Sequence, residues 1–387
     1  EIERMTAIEK DYVLDVVKNF AEKPEEYVEL KTVEMEAERG GGEVRQAVPY
    51  GRAEEEDIEK DGTGRKGTVP DNRLLRDARM KMLDLFSGAG GFSEGMRQAG
   101  HEITGFVEFW QPAIDTYSMN FPEAGMFGKD IIMVADETIR LIKAEAIIGG
   151  PPCQGFSMAG TTSLRRNVGD KRNTLFEHYL RFVEGIKPKY CVMENVPGIC
   201  SMKAEDGELI FKKIVEGFEG LGYHWKAKIV NAANYGVPQS RRRMILLASK
   251  KKIDLELKKK ERTALKEVLD LPYGEIEEMD HVYEFNARYF VKGHYLKKGA
   301  EFSSFHSAGK KLDENRPACT ITKGGRYIHP KYNRFLSVRE EARIQGFPDK
   351  FKFKGSVQEK YGLIGNAVPV GLARAIGEKL QEIDENE

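Results

Sequence analysis

The stretch Ala146-Ile147-Ile148-Gly149-Gly150-Pro151-Pro152-Cys153-Gln154 decides how this chain is read. Its apolar first half has the length and bulk of a buried parallel strand. A cysteine placed just past the carboxyl end of such a strand points into the ligand crevice of an open α/β sheet. The two prolines fix backbone torsions there and so fix where the sulfur aims. That is the setting of a held nucleophile.

Working outward, strands and helices alternate from Met80 onward. Met82–Phe86 reads as a strand, with a helix near Ser93–Ala99. Ile103–Phe109 is the next strand, followed by a helix over Pro112–Asn120. A short strand is expected at Met126–Phe127. After the cysteine stretch come a helix at Leu175–Ile186, a strand at Tyr190–Met193, a helix at Phe211–Leu221 and strands at His224–Val230 and Met244–Ala248. The alternation predicts an α/β fold, a doubly wound and mostly parallel sheet with a small second domain. Ser337-Val338-Arg339-Glu340 is a capping box opening a helix to about Gln345, and the last helix should run from Pro369 to Leu380.

Four segments follow from this pattern. Residues 1–79 form an acidic extension with 14 basic and 21 acidic residues and one candidate amphipathic helix over Ala7–Phe20. Residues 80–249 carry the sheet. In residues 250–316 the rhythm breaks into Lys/Glu-rich and then aromatic-basic sequence, read as a small separate domain. Residues 317–387 complete the first domain. The chain as a whole has net charge −1, so residues 80–387 carry +6, which suits a polyanionic partner. Four scattered cysteines without a C-x-x-C pair argue for a reducing, cytoplasmic setting and against a metal site. No apolar run approaches the roughly 20 residues of a membrane span, and the charged N-terminus does not read as a secretory signal.

Three further stretches sit at strand ends. Asp84-Leu85-Phe86-Ser87-Gly88-Ala89-Gly90-Gly91-Phe92 is a strand followed by a glycine turn that lets backbone approach a ligand, or is simply a tight turn. Glu108, at the end of the second strand, stands where an acid commonly holds a ribose diol; Asp130, after the third, could accept from an adenine amino group. No phosphate-seeking lysine follows the glycines, which favours a nucleoside without phosphates. Glu194-Asn195-Val196-Pro197 ends the strand beside the cysteine stretch, so Glu194 should face the crevice near Cys153 as an acid, or serve as a helix-cap or ion-pair glutamate. In Gln239-Ser240-Arg241-Arg242-Arg243, alternation puts Gln239, Arg241 and Arg243 on one side, with forks suited to phosphate and base oxygens.

These pieces, in this order, resemble the DNA (cytosine-5)-methyltransferase family, of the prokaryotic, S-adenosylmethionine-dependent type. The resemblance covers about residues 80–382: Asp84–Gly91 as the cofactor motif, Pro151–Ser157 as the catalytic motif, Glu194–Val196 as the acid motif, and Gln239-x-Arg241-x-Arg243 as the basic motif. Arg316-Pro317 with Thr320, and Gly365-Asn366-x-Val368-Pro369, complete the set. It implies that Cys153 adds to C6 of a flipped-out cytosine in double-stranded DNA, that Glu194 acts at N3, and that Arg241 and Arg243 hold the base. It implies S-adenosylmethionine as methyl donor, bound by Asp84, Phe86, Ser87, Gly88, Gly90, Gly91, Glu108, Phe109, Asp130, Ile131, Pro152, Asn366 and Val368.

On the same resemblance, Gln154, Ser157, Arg165, Arg166 and Gln239 would meet DNA. Residues 154–173 would form the mobile loop that closes over it, and residues 250–316 the target-recognition domain. Lys292, His294, Lys323 and Arg326 are further DNA-contact candidates. A cognate restriction endonuclease, a monomeric state and a cytoplasmic, nucleoid-associated location are the remaining expectations. An RNA (tRNA) cytosine-5 methyltransferase is the alternative; Gly155-Phe156-Ser157 follows the DNA-type pattern. An inactive regulatory homologue would be expected to have lost Cys153, Glu194 or the arginines, and none is missing.

Overall fold

The computed structural model describes residues 29–30, 80–152, 174–269, 311–323, 327–332 and 335–386. Eight strands form one sheet: β1 (Glu29–Leu30), β2 (Lys81–Leu85), β3 (Glu102–Val107), β4 (Gly125–Gly128), β5 (Ala146–Gly149), β6 (Tyr190–Asn195), β7 (His224–Asn231) and β8 (Arg242–Ser249). Their spatial order is β1-β7-β8-β6-β5-β2-β3-β4. The run from β4 to β6 is parallel, and β8 lies antiparallel to both β6 and β7. β1 pairs antiparallel with β7, adding a strand from the acidic extension at that edge. The helices are α1 (Gly91–Gln98), α2 (Gln111–Asn120), α3 (Asp136–Leu141), α4 (Leu175–Ile186), α5 (Ile210–Gly220), α6 (Val338–Gln345), α7 (Val357–Asn366) and α8 (Val370–Glu385).

Strand alternation sorts the core into two layers. Met82, Ile148, Val192 and Leu247 face one way, onto α1, α2 and α8. Leu83, Ile147, Cys191 and Leu246 face the other, onto α3, α4 and α5. The central strands are buried on both faces, which is why they read as unbroken apolar runs. The C-terminal segment returns to the first layer. A Cβ at Gly95 of α1 would lie 2.6 Å from the Val370 carbonyl oxygen, so α8 packs directly on the backbone of α1.

One expectation is corrected. Residues 250–257 do not open a separate domain: Ile253, Leu255 and Leu257 are buried in the first core layer. A smaller cluster of Leu265, Leu269, Leu312, Ala318, Ile321, Tyr327, Leu336 and Ile344 begins after them. Gly365-Asn366 ends α7, a helix that the sequence reading lacked. By contrast, Ser337 and Glu340 make both bonds of the expected capping box, and α6 ends at Gln345.

The sheet order reverses between β2 and β5, which opens a crevice at the carboxyl ends of the strands. The glycine turn after β2 and Gly150-Pro151-Pro152 after β5 form its two lips.

Candidate active site

The lip after β2 is built on an unusual backbone. Phe86 adopts φ of 59°, a region an aromatic L-residue rarely enters, and Gly88 and Gly90 follow at 55° and 88°. A side chain at Gly88 would meet nothing within 4 Å, so this glycine leaves open space above the turn. Beneath it, Asp84 is buried, accepting from Ser93 Oγ at 2.6 Å, and Ser93 Oγ lies 2.6 Å from the Tyr117 hydroxyl. Burial pushes the Asp84 carboxyl up to about 8, against the pull of the Ser93 hydrogen bond. Asp84 therefore joins the strand to α1 from below; it does not line the crevice, as had been expected, because Ser93 and Tyr117 enclose it.

Glu108, just past β3, reaches back to this turn. Its carboxylate accepts from Gly88 N at 2.7 Å and from Trp110 N at 2.8 Å. Burial raises its pKa, and those backbone donors oppose the rise. The Ser87 hydroxyl is buried and has no hydrogen-bond partner among the described residues. Phe109 stands 75% exposed at the rim. Asp130 caps a 3₁₀ turn, Ile131–Met133, by accepting from Ile132 N at 3.0 Å; Ile131 itself is buried.

The lip after β5 is held by β6. Gly149 pairs with Met193, so Glu194 falls beside Gly150, and a Cβ on that glycine would sit 3.3 Å from Glu194 Oε2. Asn195 donates from Nδ2 to the Pro151 carbonyl at 2.9 Å while its Oδ1 accepts from Val196 N at 2.8 Å. Asn195 thus ties the Pro-Pro segment to the end of β6. The sequence reading missed this role, since nothing in a motif shows which atom a side-chain amide reaches. Arg243 comes from β8 and places Nε 2.7 Å from Glu194 Oε1.

Two members of the basic stretch are placed otherwise than expected. Gln239 is fully buried: its Nε2 donates to Gln345 and its Oε1 accepts from Ile321 N at 2.7 Å, leaving no face for DNA. Arg241 is also buried, donating to the carbonyls of Ile321 at 2.7 Å, Gly365 at 2.9 Å and Ala367 at 3.2 Å. Burial and then the like charge of Arg243 lower its pKa, with Glu194 opposing. Arg241 therefore clamps the C-terminal segment to the entrance of β8 rather than presenting its fork to a base. Both corrections have one cause: β8 begins only at Arg242, and the returning segment covers what precedes it.

Gly91 is likewise used for packing. A Cβ there would collide with the Val368 carbonyl, so its missing side chain admits the C-terminal segment rather than a ligand. Asn366 is exposed at the end of α7, Val368 and Pro152 are half-buried, and Lys323 is exposed with Nζ 5.7 Å from the Trp110 ring. Cys153, Gln154, Ser157, Arg165, Arg166, Lys292, His294, Arg326 and the expected helix Ala7–Phe20 lie outside the described residues. Of the other cysteines, Cys191 and Cys200 are buried thiols whose pKa burial raises, Cys200 to about 12, so neither is a nucleophile.

Residues 80–382 match the model of the C-5 cytosine-specific DNA methylase family. The chain belongs to that family. It is a DNA (cytosine-5-)-methyltransferase. It is 35% identical to the Type II methyltransferase M.FnuDI of Fusobacterium nucleatum over 78% of this chain and 94% of that one. It is 33% identical to the Type II methyltransferase M.DdeI of Desulfomicrobium norvegicum, covering 79% of this chain and 90% of the relative. Among solved structures, a protein described as a DNA modification methyltransferase encoded within an E. coli prophage superposes with TM-score 0.62 at 28% identity, covering 80% of this chain and all of that one. The S. pombe Dnmt2 methyltransferase shares the fold, with TM-score 0.59 at 18% identity, over 79% of this chain and 100% of that one.

Family and fold imply S-adenosylmethionine as the cofactor of this DNA methylase. The lip after β2 fits such a molecule. Gly88 leaves room for it, the Ser87 hydroxyl lacks a partner among the described residues, and the Glu108 carboxylate has lone pairs beyond those its two backbone donors use. No helix among the described residues is long and apolar enough to cross a membrane.

Proposed function

We propose that this methylase transfers a methyl group to C5 of a cytosine flipped out of duplex DNA, with Cys153 as nucleophile and Glu194 and Arg243 acting on the base. The observation carrying this reading is the convergence of Glu194, Arg243 and the Asn195-held Pro151 carbonyl at the carboxyl ends of β5 and β6, two residues before Cys153.

Cytosine C5 is a weak nucleophile. Addition of the Cys153 thiolate to C6 places electron density at C5, and a proton or hydrogen bond at N3 relieves the charge that accumulates there. Glu194, beside Gly150 at the end of β6, is the acid that would act there. Arg243 orients the Glu194 carboxylate and supplies a donor for the base. S-adenosylmethionine, when bound, supplies the electrophilic methyl. Loss of the C5 proton and expulsion of the thiolate then free the product and restore Cys153.

For the cofactor, Glu108 is the ribose partner, Phe86 and Phe109 flank the adenine, Asp130 takes its amino group, and Asn366 closes the site from the end of α7. Lys323 and the arginines of residues 154–173 are DNA contacts. The names of the relatives support a short specific target and a cognate restriction endonuclease, and a DNA substrate supports a cytoplasmic, nucleoid-associated setting. The test is covalent capture: duplex DNA carrying 5-fluorocytosine at the target should trap wild-type protein in a denaturation-resistant complex that needs S-adenosylmethionine. Cys153→Ala should give none. Capture by tRNA but not by duplex DNA would move the substrate to RNA.

A further inference from the structure

Arg181 lies in the middle of α4, away from both lips of the crevice, and no motif marks it. Its guanidinium nevertheless reaches across to the 3₁₀ turn that carries Asp130. Nη2 donates to the Ile131 carbonyl at 2.6 Å, and Nη1 donates to the Val134 carbonyl at 2.9 Å and to Asp136 Oδ1 at 3.0 Å. A short turn ends with carbonyls that have no partner within it. Here one planar cation from another element takes two of them, a geometry an ammonium cannot reproduce.

The approach of α4 to this turn is set by Gly185, one helical turn after Arg181 on the same face. A Cβ at Gly185 would lie 2.6 Å from Ile139 Cγ2, so α3 packs on the bare backbone of α4. On the same face, His178 lies close enough to Arg181 and Asp130 to feel both charges; burial and then Arg181 lower its pKa. Asp130 spends one carboxylate oxygen on Ile132 N, and its Oδ2 has no hydrogen bond among the described residues. That free oxygen is the one a ligand amino group would meet, and its direction depends on how the Ile131–Val134 backbone is held.

We propose that Arg181 is a positioning residue for the cofactor's adenine: it fixes the Asp130–Val134 turn through its backbone carbonyls and thereby aims the free oxygen of Asp130 at the adenine amino group. This rests on the reading of Asp130 given under Proposed function. It assigns to α4, which begins directly after residues 153–173, a part in recognising the cofactor as well as in packing the sheet.

The readout is discrimination between two ligands that differ only at that amino group. Full-length protein is titrated calorimetrically with S-adenosylhomocysteine and with its 6-deamino (purine) analogue, which carries hydrogen in place of that group. Wild type should prefer the adenosyl ligand by about tenfold or more. Arg181→Ala should lose most of that preference by weakening the adenosyl ligand alone, and Arg181→Lys should recover only part of it. kcat at saturating cofactor should stay within about twofold. Asp130→Ala should lose the preference in the same way, and the double variant should be no worse than Asp130→Ala. If Asp130→Ala keeps the preference, the reading of Asp130 falls and the proposal with it. If Asp130→Ala loses it and Arg181→Ala keeps it, Arg181 is structural only and the proposal is overturned. Should Arg181→Ala fail to fold, Arg181→Lys decides: full preference in that variant overturns the proposal.

Discussion

Arg243 and Glu194 face each other diagonally across the β6–β8 pair, Nε to Oε1 at 2.7 Å, each side chain about nine-tenths buried. The pair stands beside the lip after β5, on its side away from β2. Glu194→Gln keeps the shape and removes the charge and the proton. It should lower kcat by about a hundredfold or more and leave cofactor affinity within about twofold, read from single-turnover methyl transfer and calorimetry. Arg243→Ala leaves Glu194 buried without its cation and should also destabilise the fold by roughly 3 kcal/mol.

Arg241 should separate from Arg243 in kind. It holds three backbone carbonyls and, among the described residues, no carboxylate, so Arg241→Ala strands buried acceptors and should cost roughly 3 kcal/mol in urea unfolding. Arg241→Lys should not rescue it, because a point charge cannot span Ile321, Gly365 and Ala367 together. A stable Arg241→Ala protein with a selective loss of base binding would show that it contacts the cytosine after all.

How far the sequence could be read follows from these contrasts. Central strands are buried on both faces, so composition alone located β2, β5 and β6. The capping box located α6, because both of its bonds are local. α7 was missed because Gly362 and Gly365 dilute its helical pattern; Gly365 lies under the Thr322–Lys323 backbone, a contact 43 and 42 residues away that only the fold reveals. Gln239 and Arg241 were misplaced for the same reason: alternation says which residues share a face, not what later covers it. Asn195 and Arg181 act through backbone atoms of distant residues and leave no local signal.

The glycines of the first lip should divide by function. At Gly91 an added methyl collides with the Val368 carbonyl, so Gly91→Ala should lower stability by about 1–3 kcal/mol. At Gly88 a methyl meets no protein atom, and only the φ of 55° is unfavourable, about 1 kcal/mol. Gly88→Ala should therefore be the more stable of the two yet bind S-adenosylmethionine at least tenfold more weakly. Thermal unfolding and calorimetry on both variants check the division.

Two buried carboxyls make stability fall as pH rises. Asp84 has its pKa raised by burial to about 8, and Glu341, fully buried with neither oxygen hydrogen-bonded among the described residues, is raised well above the carboxylate range by burial and by Glu340. A pKa raised in the folded state means the folded protein holds a proton the unfolded chain releases. For Asp84 that contribution is complete below about pH 4 and is lost as pH climbs toward and through 8. Asp84→Asn should come closest to wild type in melting temperature at or below about pH 4 and exceed it by a growing margin up to pH 8.5. Glu341→Met should be more stable than wild type by about 1–3 kcal/mol at pH 8.5, with a smaller gain at pH 5.

Methyl transfer to duplex DNA through Cys153 is tested most directly by expressing the chain in cells that lack cytosine methylation and sequencing their genome after bisulfite treatment, beside Cys153→Ala. The expected result is 5-methylcytosine at one recurring short sequence, absent from the Cys153→Ala genome. Methylation that survives Cys153→Ala, or an unmethylated genome in cells holding folded, S-adenosylmethionine-binding protein, would contradict it.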